Sequence, residues 1–330
     1  MALSRILIIK LSSLGDVVHA LPVAGALRRR FPGAEISWLV GAASAGILTI
    51  CRHVDRVITW APGKRPRLDL LAELRSTRPR VCFDVQGLIR TACLGWLSGA
   101  RWRIGFRTLQ EGGFLLCNLR VVPARTDIHA VDAYLAFARF LGADEAAPDF
   151  GLDLSGRAQQ AAAQLAPAFG GAPTVALLPG TQWATKKWPG SHFVDLAVRL
   201  GALGVGCVVL GGREDRHAGA AIRAAAPGTV TDLAGRTSLI ESAAIIARCA
   251  LAVGNDSGPT HLAAALGVPV VALFGPTDPV RTGPYGAGHI VIQAPVPCIR
   301  CRRRRCALSC MEKISPELVL EAARRRLGLC

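Results

Sequence analysis

Aromatic residues are scarce: Phe, Trp and Tyr make up 5% of the 330 residues. The cores are therefore expected to be aliphatic and Ala-rich. The basic residues are not interleaved with stacking rings, which counts against a nucleic-acid-binding module, and no nucleic-acid partner is expected. Long apolar runs are also missing. The longest uncharged stretch, near Leu262 to Thr277, is broken by Pro269 and Gly275 and is too short to span a bilayer. Met1 to Lys10 lacks the basic start, long apolar run and cleavage site of a secretory leader, so a cytoplasmic location is expected.

Acidic residues are in deficit, 23 against 39 Lys and Arg, for a net charge of +16. The excess is even: residues 1–150 carry 20 basic and 12 acidic groups, and residues 151–330 carry 19 and 11. Such a surface suits a phosphorylated substrate, anionic lipid or nucleic acid. A GC-rich genome favouring arginine would produce the same counts. No G-x-G-x-x-G, G-x-x-x-x-G-K-[ST], G-x-S-x-G, H-E-x-x-H or D-x-D occurs, which removes most support for a dehydrogenase, a P-loop enzyme, an esterase or a zinc protease. Eleven cysteines, an odd number in a leaderless chain, argue against a disulfide framework.

What is present is a regular alternation of apolar strands and helices. Arg5 to Lys10 reads as a buried strand, Leu11 to Asp16 as a turn and Val17 to Arg30 as a helix. Strands follow at Glu35 to Val40, Val54 to Thr59, Arg80 to Val85 and Arg101 to Gly105, with helices between. Arg107 to Arg125 reads as an irregular segment, either a lid or acceptor loop or a plain surface excursion. A helix from His129 to Leu141 closes the first half. Residues 142–173 are rich in Ala, Pro and Gly, with one Ala/Gln helix, and read as a linker. The second half repeats the pattern with strands at Thr174 to Leu178, Val205 to Leu210, Thr229 to Asp232, Ala250 to Val253, Val268 to Phe274 and His289 to Gln293. It ends in a helix capped by Ser315 and Pro316. This predicts an α/β chain of two Rossmann-like doubly wound domains, 1–150 and 151–330, facing across a cleft, with the final helix able to return to the first.

Two stretches carry chemistry. In Val253-Gly-Asn-Asp-Ser-Gly-Pro-Thr-His261 a buried strand stops at a glycine, a polar cap follows and a helix begins near Thr260. Gly258 and Thr260 sit where helix amides meet an anion, a phosphate seat, with Asp256, Ser257 and His261 beside it. An ordinary capped helix has the same appearance. In the other half Asp16 opens a helix at the carboxyl edge of the sheet, where ligands bind in such folds. A first-turn acid complementing the helix dipole reads the same way. One acid and one phosphate seat fit group transfer from an activated donor.

These residues resemble a known family. Ile8-Ile9-Lys10-Leu-Ser-Ser-Leu-Gly-Asp16-Val-Val-His-Ala-Leu-Pro22, Asp84-Val-Gln86-Gly87-Leu88, Lys186-Lys187-Trp188-Pro189, Asn255-Asp-Ser-Gly-Pro-Thr-His261 and Phe274-Gly-Pro-Thr-Asp-Pro279 are similar, in order, to the ADP-heptose lipopolysaccharide heptosyltransferases of glycosyltransferase family 9. The resemblance implies a GT-B fold and inverting transfer with no cofactor or metal in the chemical step. It implies Asp16 as general base toward an acceptor hydroxyl, with Ser13, Gln86 and Arg90 near the acceptor. It implies Lys186 as the lysine at the leaving diphosphate, assisted by Lys187. The donor would also meet Thr181, Gln182, Asp256, Ser257, Gly258, Thr260 and His261, with Glu214 at the ribose and Thr237 beside the adenine. Partners would be ADP-heptose and a Kdo-lipid A or heptosyl-Kdo-lipid A acceptor at the inner face of the inner membrane. Transfer to a protein is the enzymatic alternative.

Cys298-x-x-Cys301-x4-Cys306-x3-Cys310 is compact enough for a four-thiolate structural metal site, or is a set of free thiols in a basic loop. Similar cysteines occur in family members that bind iron, and a cysteine-bearing C-terminus leans toward second-heptose transfer. Arg300 and Arg302 to Arg305 would offset thiolate charge or meet lipid headgroups.

Overall fold

The computed structural model describes residues 3–329, apart from 65, 107–114, 124, 126, 145, 157–158, 161–162, 165–171 and 308. The chain divides into two compact units, Met1–Asp153 and Leu154–Cys330. Each is built on a six-stranded, wholly parallel sheet.

In the first unit the strands are β1 (Arg5–Ile9), β2 (Glu35–Gly41), β3 (Arg56–Trp60), β4 (Val81–Asp84), β5 (Trp102–Phe106) and β6 (Leu119–Val121), in the order β3-β2-β1-β4-β5-β6. β6 lies within the stretch read as irregular. It is a three-residue edge strand, too short for a periodic signal. Central strands are apolar on both faces because helices cover both; Ile6 to Ile9 are essentially inaccessible. The Leu14–Arg30 helix is sealed along most of its length and packs on the Ala130–Phe140 helix. The end of the unit is not a loose linker. Arg52 donates its N–H to Gly151 O at 2.9 Å, Asp153 donates to Ile50 O at 2.8 Å, and the Asp149 carboxylate meets His53 at 2.8 Å. Much of the expected Ala/Gln helix lies outside the described residues.

In the second unit the strands are β7 (Thr174–Leu178), β8 (Gly206–Val209), β9 (Val230–Asp232), β10 (Leu251–Asn255), β11 (Val270–Phe274) and β12 (Ile290–Gln293), in the order β12-β11-β10-β7-β8-β9. Alternation along β7 divides the core. Val175 and Leu177 join Trp188, Phe193 and Val319 on one face, and Ala176 and Leu178 join Ile245, Ala263 and Phe274 on the other. The Pro316–Leu327 helix packs on the first of these faces, beside the Gly190–Ala202 helix.

Trp188 binds the loop after β7 to this core. It is fully buried, its ring meets Phe193 edge-on at 4.8 Å, and its indole N–H donates to Ile314 O at 2.9 Å. Trp188→Ala removes a large apolar group and orphans that carbonyl, so guanidinium unfolding should register a loss of about 3–5 kcal/mol. The same change at Trp102, which is 37% exposed, should cost far less, and equal losses would contradict this account of the core.

Candidate active site

In each unit the strand order reverses at the centre, between β1 and β4 and between β7 and β10. The crossovers from two adjacent strands then leave toward opposite faces and open a crevice at the carboxyl ends. Many of the residues singled out in the sequence lie in the loops at these two points.

In the first unit the loop after β1 leads to Asp16, the third residue of the Leu14–Arg30 helix. One carboxylate oxygen, Oδ2, accepts from both the N–H and the hydroxyl of Ser13, each at 2.9 Å. This is the reciprocal half of a capping box, so Ser13 is the N-cap and the helix starts a turn earlier than Val17. The other oxygen, Oδ1, lies 3.5 Å from the Tyr134 hydroxyl. The loop after β4 is tied to the loop after β1 by Gln86, whose Oε1 accepts from the N–H groups of Leu11 at 3.0 Å and Ser12 at 3.2 Å. Asp84 shapes that second loop. It accepts from the N–H of Gln86 and Gly87 and from the Thr91 hydroxyl, and Gly87 takes a φ of 79° that suits glycine. Burial pushes the Asp84 carboxyl up to about 6 against those donors. Arg90 is exposed at the start of the Ile89–Leu97 helix.

Lys10 and Tyr134 were missed in the sequence. Lys10 ends the apolar run of β1 and is 4% exposed, with its ammonium donating to the Tyr134 hydroxyl at 3.1 Å. Burial, which lowers its pKa, is outweighed by Tyr134, Asp16 and Asp84, so the pKa is raised and the ammonium persists. A lysine directly after the apolar residues Ile6 to Ile9 was the available signal; its partner lies 124 residues away.

In the second unit the loop after β7 carries Thr181, Gln182, Lys186 and Lys187, and the loop after β10 carries Asp256 and Ser257. Asn255 joins the two loops: its Oδ1 accepts the Trp188 N–H at 3.0 Å and its Nδ2 donates to Pro179 O at 2.8 Å. The centre is Asp256, 5% exposed. Its Oδ2 receives the Lys186 ammonium at 2.6 Å and the Thr277 hydroxyl at 2.6 Å, and its Oδ1 meets His261 Nε2 at 3.1 Å. Burial opposes its ionisation, but His261 and Lys186 prevail and hold the carboxyl well below the usual carboxylate range. Asp256 is thus occupied by protein donors here rather than open for sugar hydroxyls. The helix opens at Gly258 with Ser257 as N-cap and Pro259 in its first turn. Thr260 is fully buried, with its hydroxyl bonded to Asn255 O at 2.6 Å, so its side chain braces the start of the helix. Thr277 follows β11 in a segment whose family-like pattern was noted without a role.

Other residues stand further out. Thr181 Oγ1 is 3.4 Å from Asp256 O, and Gln182 and Lys187 are exposed. Glu214 is exposed after β8; the neighbouring Asp215, not singled out, is buried and caps Gly212 N–H at 2.9 Å. Gly180 and Gly211 have no room for a Cβ against it. Thr237, after β9, bonds Ser242 at 2.7 Å. Cys298, Cys301 and Cys306 are exposed and Cys310 is half-buried. Burial and then the neighbouring thiols raise the Cys310 pKa. Among the described residues no group of three or more His, Cys, Asp or Glu side chains is placed to hold a metal ion.

Two parallel α/β sheets with the same strand order, each with its polar cluster at the reversal point, are the hallmark of a GT-B glycosyltransferase, and solved structures agree. The E. coli ADP-heptose lipopolysaccharide heptosyltransferase II superposes with a TM-score of 0.82 at 27% identity, over 98% of this chain and 99% of that one. E. coli heptosyltransferase WaaC with ADP gives 0.78 at 26%, over 98% and 99%. The Pseudomonas aeruginosa lipopolysaccharide heptosyltransferase 1 is 34% identical over 92% of this chain and 87% of its own length. Residues 67–312 match the model of glycosyltransferase family 9 (heptosyltransferase). The chain belongs to that family and is a glycosyltransferase. Relatives of both the first and second heptosyltransferase types match, with no preference between them.

Asp84 supplies a pH test. Its folded value of about 6 exceeds the ordinary 3.8, so the stability lent by the protonated acid is complete below pH 4 and is lost as pH rises through 6. Asp84→Asn should therefore gain on the parent by about 2 kcal/mol in unfolding free energy between pH 4 and pH 7. A difference independent of pH would show that Asp84 is ionised throughout.

Proposed function

We propose that the protein transfers heptose from ADP-heptose to the inner core of lipopolysaccharide, with inversion at the anomeric carbon. The acceptor is Kdo-lipid A or heptosyl-Kdo-lipid A, and the enzyme works at the inner face of the inner membrane without crossing it. Among the described residues no helix is long and apolar enough to cross a membrane. The first unit takes the acceptor and the second the nucleotide sugar.

The observation that carries this reading is the buried Lys186–Asp256–His261–Thr277 cluster beside the start of the Gly258–Ala265 helix. It offers an ammonium and a helix terminus, the two things a departing diphosphate needs. In the step itself the acceptor oxygen forms a bond to C1 of heptose as the C1–O bond to the β-phosphate breaks. Asp16 Oδ1 takes the hydroxyl proton, since Oδ2 is committed to Ser13. The electron pair leaves on the β-phosphate of ADP, where Lys186 and the Gly258 and Thr260 amides meet the charge. These groups serve without a bound metal. Lys186 exchanges its Asp256 contact for phosphate when donor binds, and Asp256 with His261 and Thr277 then sets the edge of the sugar site. Glu214 and Thr237 serve the ribose and adenine.

ADP release from ADP-heptose is expected with one of the two glycolipids and with no protein acceptor. Asp16→Asn should lower kcat by about 10²–10⁴-fold with ADP binding retained. Lys186→Ala should lower kcat by about 10²–10³-fold. Full turnover by Asp16→Asn would remove Asp16 from its role, and release driven by a protein would move the enzyme to the protein heptosyltransferases.

A further inference from the structure

The stretch to which the reaction gives no role is Arg300 to Arg305. Five of its six residues are arginine, all six are exposed, and no acidic residue occurs from 295 to 311. It is not a loose charge run. The Arg302 N–H donates to Pro276 O at 2.7 Å, and Arg303 O accepts from the Thr185 hydroxyl at 2.9 Å. Arg300 meets Asp278 at 3.2 Å. The Arg304 guanidinium lies 4.7 Å over the ring of Trp183, which also carries the Lys186 ammonium at 4.6 Å. Arg300 and Arg302 hold φ values of 62° and 54°, a left-handed conformation that bulky side chains seldom adopt without support or function. Arg302, Arg303 and Arg305 have no acidic partner among the described residues. The fold thus holds like charges side by side on a fixed backbone and neutralises few of them.

We propose that this segment is the surface by which the protein docks on a bilayer rich in anionic phospholipid. Guanidinium is weakly hydrated and grips phosphate oxygens in pairs, so un-neutralised arginines held in place match a field of phosphodiester headgroups. Ile299 beside them is 37% exposed, an apolar residue at the depth where an interface would take it. A nucleic-acid surface fits less well, because Trp183, the one ring packed against the segment among the described residues, already carries two cations. The segment is bonded to the loop that carries Lys186, so docking there brings the donor loop to the bilayer that holds the proposed glycolipid acceptor. The inference rests on the lipid-acceptor reading in that respect alone.

The test is co-sedimentation of the full chain with vesicles of phosphatidylcholine alone and of phosphatidylcholine mixed with phosphatidylglycerol. The parent is compared with the triple variant Arg302→Ser, Arg303→Ser, Arg305→Ser, which leaves the contacts of Arg300 and Arg304 in place. The parent should bind only the phosphatidylglycerol vesicles, and less at high salt. The variant should bind them roughly 100-fold more weakly while binding ADP as the parent does. Equal vesicle binding by parent and variant would overturn the proposal. So would a parent that prefers RNA to these vesicles, or one whose vesicle binding is abolished by an equal concentration of inorganic phosphate. ADP release with detergent-dispersed acceptor separates the two readings. Release without arginine-dependent vesicle binding sinks the docking surface alone, and arginine-dependent binding without release sinks the transferase reading alone.

Discussion

Everything chemical in this protein depends on the reversal of strand order at the centre of each sheet. At β1/β4 and at β7/β10 two parallel strands end side by side while their connections turn to opposite faces. Backbone groups at the parting loops lose their ladder partners and must be satisfied some other way. Both units use the same device, a carboxamide reaching between the two loops. Gln86 accepts from Leu11 and Ser12, and Asn255 accepts from Trp188 and donates to Pro179. A carboxamide can accept and donate without charge, so it closes the gap at low electrostatic cost. The loops so fixed are the ones that bear Asp16, Lys186 and Asp256.

The second unit adds a buried charge cluster to that frame. Removing a carboxylate and an ammonium from water is unfavourable, and their attraction offsets the loss only where further hydrogen bonds complete the shell. Asp256 meets that condition through Lys186, His261 and Thr277, donors from three different loops or helices. The arrangement fixes the relative placement of the loops after β7, β10 and β11. It also keeps Lys186 poised on the proposed reading, since a phosphate entering the seat offers the ammonium a second anion in place of the first.

Much of this architecture was legible in the chain. Buried parallel strands are continuous apolar runs, and eleven of them stand within a few residues of where periodicity puts them, from Arg5–Ile9 to Ile290–Gln293. The polar loops following Ile9, Asp84, Leu178 and Asn255 were legible because each interrupts such a run with Gly, Ser, Asp or Lys. Side-chain pairing across the fold was not. Nothing local connects Lys10 to Tyr134, or Asp256 to Thr277, and whether a carboxylate is open or saturated depends on such partners. For the same reason the bond from the Thr260 hydroxyl to Asn255 O could not be read from the sequence. β6 escaped because a three-residue edge strand has no period to detect.

The contrast between the two acids assigns their parts on the proposed reading. A general base must present an ionised oxygen that can take up a proton. Asp256 cannot, because two cationic or potentially cationic neighbours and a hydroxyl hold its carboxyl well below the usual range and occupy both oxygens. Asp16 is bonded differently. Its donors are the neutral N–H and hydroxyl of Ser13, both on one oxygen, and the facing Tyr134 hydroxyl stands 3.5 Å from the other. The Lys10 ammonium is held off by that phenol instead of bonding the carboxylate directly, so it supplies positive potential without saturating Oδ1. On the proposed reading one acid is then a strut for Lys186, and the other offers an oxygen to the acceptor hydroxyl.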